Sequence, residues 1–175
     1  MKTRWDIMLA GSGGQGLGVA GNILGRAAII YKNYYAAHNQ SYGARARGGL
    51  NQSTLIISKD EIIYPFVKEA DLLLALTSEA YKKYEPMVKD SGIIIYDSNI
   101  AVEPAGRVKE YSFPFAEEAK KLGHPLGITL LALGTVLKIT EIIPPEPFIK
   151  ALNEFFKSPA LELNIKSFQR GMELV

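Results

Sequence analysis

The chain has 175 residues, 47% hydrophobic and 22% charged, with a formal net charge of +2. This fits one domain with a real core, and the charge is too small for nucleic-acid binding by bulk electrostatics. The chain has no cysteine and two histidines, His38 and His124, which excludes disulfides, thiolate metal sites and a cysteine nucleophile and leaves too few histidines for a histidine-based metal centre.

The opening Met1–Asp6 is followed by four apolar residues before the first glycine, too short for a secretory apolar region. No apolar run approaches the ~20 residues that span a membrane. A cytoplasmic protein is expected.

Trp5 to Ala10 is a short apolar run ending in glycine and predicts a buried first strand. Gly13 to Gly18 predicts a turn. Leu17, Ala20, Ile23, Leu24, Ala27, Ala28 and Tyr31 recur at helical spacing, so a helix is predicted to about Lys32. Gly21 and Gly25 inside it each cost about 0.8–1 kcal/mol relative to Ala. Small residues there allow close approach to a sheet or a ligand. Asn33 to Gln52 is polar, aromatic and glycine-rich and reads as an exposed loop or rim.

Strands are predicted at Ser53–Ser58, at Leu72–Thr77 after Glu69–Asp71, at Gly92–Asp97 and, more weakly, at Arg107–Phe113. Ser78-Glu79 opens a predicted helix through about Lys89, broken or kinked by Pro86. Further helices are predicted at Phe115–Leu122, Gly127–Ile139, Pro147–Lys157 and Leu161–Leu174. Apolar strands alternating with amphipathic helices imply an α/β fold. The expectation is a single three-layer domain over residues 1–175, with a Rossmann-like, mostly parallel sheet and helices on both faces.

Charge is distributed unevenly. Of 18 acidic residues, only Asp6 precedes Asp60. The window Ile7–Lys59 has none, yet holds Arg26, Lys32, Arg45, Arg47 and Lys59. Cations and bare backbone amides without competing carboxylates suit an anionic ligand.

Two glycine-rich segments lie in that window. Gly11-x-Gly13-Gly14-Gln15-Gly16 follows a strand and opens a helix, the context of a dinucleotide-binding turn. The acid expected about 20 residues on for a ribose is missing, which disfavours NAD. The Gly-Lys-Ser/Thr ending of an ATP-binding loop is missing too. A phosphate-bearing ligand remains open, as does a structural turn or subunit contact. The second segment, Tyr34 to Gly49, carries Arg45 and Arg47 among tyrosines and glycines. Arginine forks suit phosphate or carboxylate, and tyrosines suit an interface.

The joint pattern of Gly11-x-Gly13-Gly14-Gln15-Gly16, Ser41-Tyr42-Gly43, Arg47-Gly48-Gly49 and Ile57-Ser58 resembles the gamma subunit of the 2-oxoacid:ferredoxin oxidoreductases. The likeness extends through Asp71–Leu76 and the apolar block Gly127–Gly134. Thr129 departs from the asparagine often found at its position in that family. The resemblance implies a subunit of a larger enzyme that decarboxylates a 2-oxoacid on thiamine diphosphate. Electrons pass through iron–sulfur clusters to ferredoxin, and the acyl group passes to coenzyme A. Thiamine diphosphate and the clusters are then held by partner chains: thiamine-binding alpha and beta subunits and an iron–sulfur, delta-type subunit.

The implied role is assembly and coenzyme A binding at a shared site. Its candidate residues are Gly11, Gly13, Gly14, Gln15, Gly16, Ser41, Tyr42, Arg45, Arg47, Gly48 and Gly49. The spacing from Tyr34 to Gly49 favours the 2-oxoglutarate-like or generic branch over the pyruvate branch. No residue is assigned acid–base catalysis, and no metal site is expected. A stand-alone nucleotide-binding module and a purely structural scaffold are the alternatives.

Other candidates have plain readings. His38 is a surface or interface residue, and His124 precedes Pro125 in a turn. Thr77-Ser78 and Asp97 are helix caps or turn formers. Glu117-Glu118 with Lys120-Lys121 is a solvated helix face.

Overall fold

The computed structural model describes residues 2–42 and 49–175. One six-stranded sheet has the order β2-β3-β1-β4-β5-β6. The strands are β1 (Arg4–Ser12), β2 (Tyr35–Tyr42), β3 (Leu50–Ser58), β4 (Ala70–Ala75), β5 (Val88–Asp97) and β6 (Lys109–Phe113). β1, β4, β5 and β6 are mutually parallel, while β3 runs antiparallel to both β1 and β2. The mostly parallel expectation holds, with β3 alone reversed.

Side-chain alternation divides the sheet into two faces. Ile7, Leu9, Leu55, Leu72, Leu74 and Ile95 meet most of the helices in the larger core. Those helices are α1 (Leu17–Lys32), α3 (Phe115–Lys121), α4 (Ile128–Thr140), α5 (Pro145–Phe155) and α6 (Ala160–Met172). Met8, Ala10, Leu73, Ala75 and Ile94 turn to the other face and meet Ala80, Tyr81 and Tyr84 of α2 (Ser78–Tyr84). The middle stretches of the central strands, Ile7–Ala10, Leu72–Ala75 and Ile93–Ile95, are apolar at every position because both faces are covered. Each fully buried Ile or Leu contributes roughly 1.5–3 kcal/mol by leaving water.

Two predicted segments differ. Residues 35–42, read as loop, form β2, paired residue for residue with β3 from Tyr35↔Ser58 to Tyr42↔Asn51. The helix predicted through Lys89 ends at Tyr84; a 3-10 turn Glu85–Met87 with Pro86 follows, and β5 starts at Val88. Proline removes the donor that an α-helix needs there and fits the first turn of a tighter one.

The end of the sheet where β1, β4 and β5 begin is held by charge. Asp71, buried at 2% exposure, takes the Lys2 and Lys89 ammonium groups at 2.8 Å each and the Asp6 backbone N–H at 2.8 Å. Asp6 itself pairs with Arg4 at 2.9 Å and Lys89 at 3.1 Å. The opposite end, where β1 finishes, carries the glycine loop. Among the described residues no helix is long and apolar enough to cross a membrane.

Candidate functional site

The glycine loop is a tight reversal between β1 and α1. Gly14 (φ 97°) and Gly16 (φ 76°) both lie in the left-handed region, where a Cβ would be strained. Gln15 locks the turn through its side chain: Ser12 N–H donates to Gln15 Oε1 at 2.7 Å, and Gln15 N–H donates to Ser12 O at 3.3 Å. The Thr129 hydroxyl of α4 donates to the Gln15 carbonyl at 2.5 Å. Gly13 N–H donates to Gly49 O at 2.9 Å, tying the loop to the start of β3. Thr129 therefore holds the loop from behind, a polar role its sequence position did not disclose.

Gly16 caps α1 with no side-chain hydrogen bond, and the first turn contains no acidic residue. The positive end of a 16-residue helix is thus presented through backbone amides. It faces a cleft of about 450 Å³ between the loop and the adjoining ends of β2 and β3. Ser12, Asn22, Gln40, Asn51 and Gln52 supply its polar side chains, and among the described residues no charged one lines it. A second, more apolar pocket of about 270 Å³ lies behind the loop, walled by Leu126, Leu130 and Phe156. At its rim the His124 ring meets Asn164 Oδ1 through Nε2 at 2.8 Å.

The strand register gathers the sequence candidates. Gly11 and Ser12 pair with Asn51 and Leu50, and Ser41 and Tyr42 pair with Gln52 and Asn51. Gly11, Gly13, Gly14, Gln15, Gly16, Ser41, Tyr42 and Gly49 therefore converge on one end of the sheet. Ser41 is exposed beside the cleft rather than lining it. Arg45, Arg47 and Gly48 lie outside the described residues. Sequence reasoning missed the carboxamides of Asn22, Gln40, Asn51 and Gln52. The β2–β3 pairing that brings three of them together depends on reading 35–42 as a strand.

His38 sits in β2 beneath Gly21 of α1, where a Cβ would press on its ring and on Ser53. The ring meets Ser53 Oγ through Nε2 at 2.7 Å, and burial pulls its pKa below the ordinary 6.5. Gly21 thus serves close helix–strand packing. Thr77 Oγ1 accepts from Ala80 N–H at 3.2 Å, as a cap should. Asp97 accepts from Asn99 N–H at 2.8 Å and from Ala116 N–H at 2.7 Å, closing a turn and the start of α3. Glu117 pairs with Lys121 on a solvated face, but Glu118 is buried at 6% exposure and pairs with Arg170 of α6 at 2.8 Å. The solvated reading fails for Glu118 because α6 covers it.

The structure is thus an α/β domain whose glycine turn opens α1 beside a cleft with no carboxylate among its described lining residues. The family model for pyruvate ferredoxin/flavodoxin oxidoreductase matches residues 6–174, and the chain belongs to that family. It is 35% identical over 178 residues to the 2-oxoglutarate synthase subunit KorC of Methanocaldococcus jannaschii, covering 99% of this chain and 95% of the relative. The crystal structure of the keto/oxoacid ferredoxin oxidoreductase gamma subunit from Geobacter sulfurreducens superposes with a TM-score of 0.88 at 35% identity, covering 99% of this chain and 97% of that one. The 2-oxoglutarate:ferredoxin oxidoreductase of Magnetococcus marinus shares the fold, with a TM-score of 0.87 at 22% identity; this chain spans 31% of that longer one.

Proposed function

We propose that the chain, as one gamma-type domain over residues 1–175, is the gamma subunit of a cytoplasmic, multi-subunit 2-oxoacid:ferredoxin oxidoreductase. It supports thiamine-dependent oxidative decarboxylation of a 2-oxoacid to an acyl-coenzyme A, with electrons passing to ferredoxin. The observation that carries this reading is the uncapped N-terminus of α1 opening on a cleft without carboxylates, in a chain whose full-length relatives are subunits of such enzymes. The relatives named for 2-oxoglutarate make it the oxoacid we assign.

The chain contributes binding rather than proton transfer. Backbone amides of the Gly13–Gly16 loop other than those of Gly13 and Gln15, which bond to Gly49 O and Ser12 O, hold phosphates of coenzyme A or carboxylates of a neighbouring subunit together with Arg45 and Arg47. Gln15 fixes the loop that carries those amides. Ser41, Tyr42 and Gly49 frame the same end of the sheet. Thiamine diphosphate and the iron–sulfur clusters belong to partner chains; with no cysteine, this one offers no thiolate to a cluster.

Affinity purification of the tagged chain from its own cells recovers thiamine-binding and cysteine-rich partners with coenzyme A-dependent oxoacid oxidation. Recovery of the chain alone overturns the subunit assignment. Within the assembled complex, Arg47→Ala raises KM for coenzyme A about tenfold, the loss of one charge-assisted hydrogen bond, and leaves oxoacid decarboxylation intact. An unchanged coenzyme A dependence removes Arg47 from the site.

A further inference from the structure

The apolar pocket behind the glycine loop has a polar side of its own. Its walls come from three stretches of chain: the loop with the first turn of α1, the start of α4 with the turn before it, and the link from α5 to α6. It shares only Gly14, Gly16 and Val19 with the cleft. Two of its lining residues, Leu126 (74% exposed) and Val19 (44%), leave apolar surface open to water. With Leu130 and Phe156 they offer hydrocarbon to the body of a small ligand.

Electrostatics gives this pocket a sign. α1 and α4 both bring their first turns to it, through Gly16 and Val19 and through Thr129 and Leu130. Neither helix has a side-chain cap at its N-terminus or an acidic residue in its first turn, so two positive helix ends meet at one pocket. Residues 14–20, 124–130 and 155–161 contain no Asp or Glu, and the last stretch holds the exposed Lys157. The acids that bracket it are engaged elsewhere and do not line the pocket: Glu154 pairs with Arg26, and Glu162 takes the Ser158 hydroxyl at 2.8 Å. Asn164 adds a buried donor. It lines the pocket at 5% exposure. Its Oδ1 meets His124 Nε2 at 2.8 Å, and an amide oxygen can only accept, so Nε2 carries the proton. Among the described residues the Asn164 Nδ2 has no hydrogen-bond partner, and a buried amide donor calls for an acceptor.

We propose that this pocket binds a small carboxylic acid, its carboxylate set against the starts of α1 and α4 and accepting from Asn164 Nδ2, its apolar body lying along Leu126, Leu130 and Phe156. A neutral head would leave both helix ends uncompensated, and an ammonium head would oppose them. A phosphate carries more charge and more oxygens to hydrate, and burying it among hydrocarbon costs more; it belongs in the polar cleft. The inference stands on this pocket alone and does not need coenzyme A in the cleft.

Nuclear magnetic resonance titration of the purified full chain with hexanoate, hexanol and hexylamine tests it, because the three share a tail and differ in the charge of the head. The expected result is that hexanoate moves the amide signals of Gly16, Leu126 and Thr129, with a Kd about tenfold or more below that of the alcohol and of the amine. Asn164→Asp keeps an acceptor for His124, sets a like charge beside the carboxylate and weakens hexanoate about tenfold or more. Equal binding of the three overturns the proposal, since it shows an apolar pocket that ignores the head group. A preference for the amine overturns it as well, and so does an absence of binding by all three. Hexanoate shifts centred on Asn51 and Gln52 also overturn it, because they place the anion in the cleft. The comparison of head groups uses the unaltered chain, so misfolding of the aspartate variant leaves the test intact.

Discussion

Glu141 is held in a conformation its side chain does not favour. It ends α4 with φ 50°, and its N–H donates to Leu137 O at 3.0 Å. Asn33 ends α1 at φ 51° in the same way, but asparagine tolerates that region and glutamate does not. Glu141 is exposed, so little packing offsets the strain. Glu141→Gly should stabilise the chain by about 0.5–1 kcal/mol, the backbone relief less glycine's extra unfolded-state freedom. For a chain of this size that raises Tm by roughly 1–4 °C, readable by calorimetry. A lower Tm would show that the Glu141 side chain makes contacts worth more than the strain. Sequence alone could not expose this position, because a helix end of this type ordinarily announces itself with Gly or Asn.

Among elements, α4 and α6 cross with backbone close against backbone. A Cβ on Gly171 would land on the Leu131 carbonyl, and one on Gly134 would land on the Phe168 carbonyl. The Thr135 hydroxyl bridges the helices by donating to Gly171 O at 2.7 Å. Backbone against backbone leaves no flexible side chain to yield. Gly171→Ala should therefore destabilise by about 1–3 kcal/mol through overpacking, seen as a lower urea midpoint at unchanged slope. A neutral effect would mean that α6 slides freely on α4. Elements with long apolar periods, such as α1 and α4, were legible because core burial and helical period coincide in them. β2 was not. Its inward residues Ala36, His38 and Gln40 lie under glycines of α1, where small and polar groups fit, so the usual apolar alternation is missing. The glycine loop was legible because its backbone demands glycine. The carboxamide walls of its cleft were not, since the register that assembles them passes through the unread strand.

At the scale of the whole molecule, charge separates the two ends of the sheet. The loop end presents amides without carboxylates, and the far end concentrates Lys2, Arg4, Asp6, Asp71 and Lys89. Burial alone would raise the Asp71 carboxyl, but hydrogen bonds from Lys2, Lys89 and the Asp6 amide outweigh it and hold its pKa below the usual 3.8. Burial likewise pulls Lys89 down, and its bonds to Asp71 and Asp6 outweigh that and raise it. A depressed carboxylate contributes stability above about pH 3.8 and loses it as pH falls through the folded value. Lys89→Met should thus cost about 1–2 kcal/mol at pH 7, below the 3–5 of a fully buried pair because Lys89 is partly open to water. The cost should shrink as Asp71 protonates. Urea unfolding of both proteins at pH 7, 5 and 3 measures this directly: a difference that narrows toward pH 3 assigns the loss to the carboxylate charges of Asp71 and Asp6 that face Lys89, whereas a constant difference assigns it to the packed lysine stem.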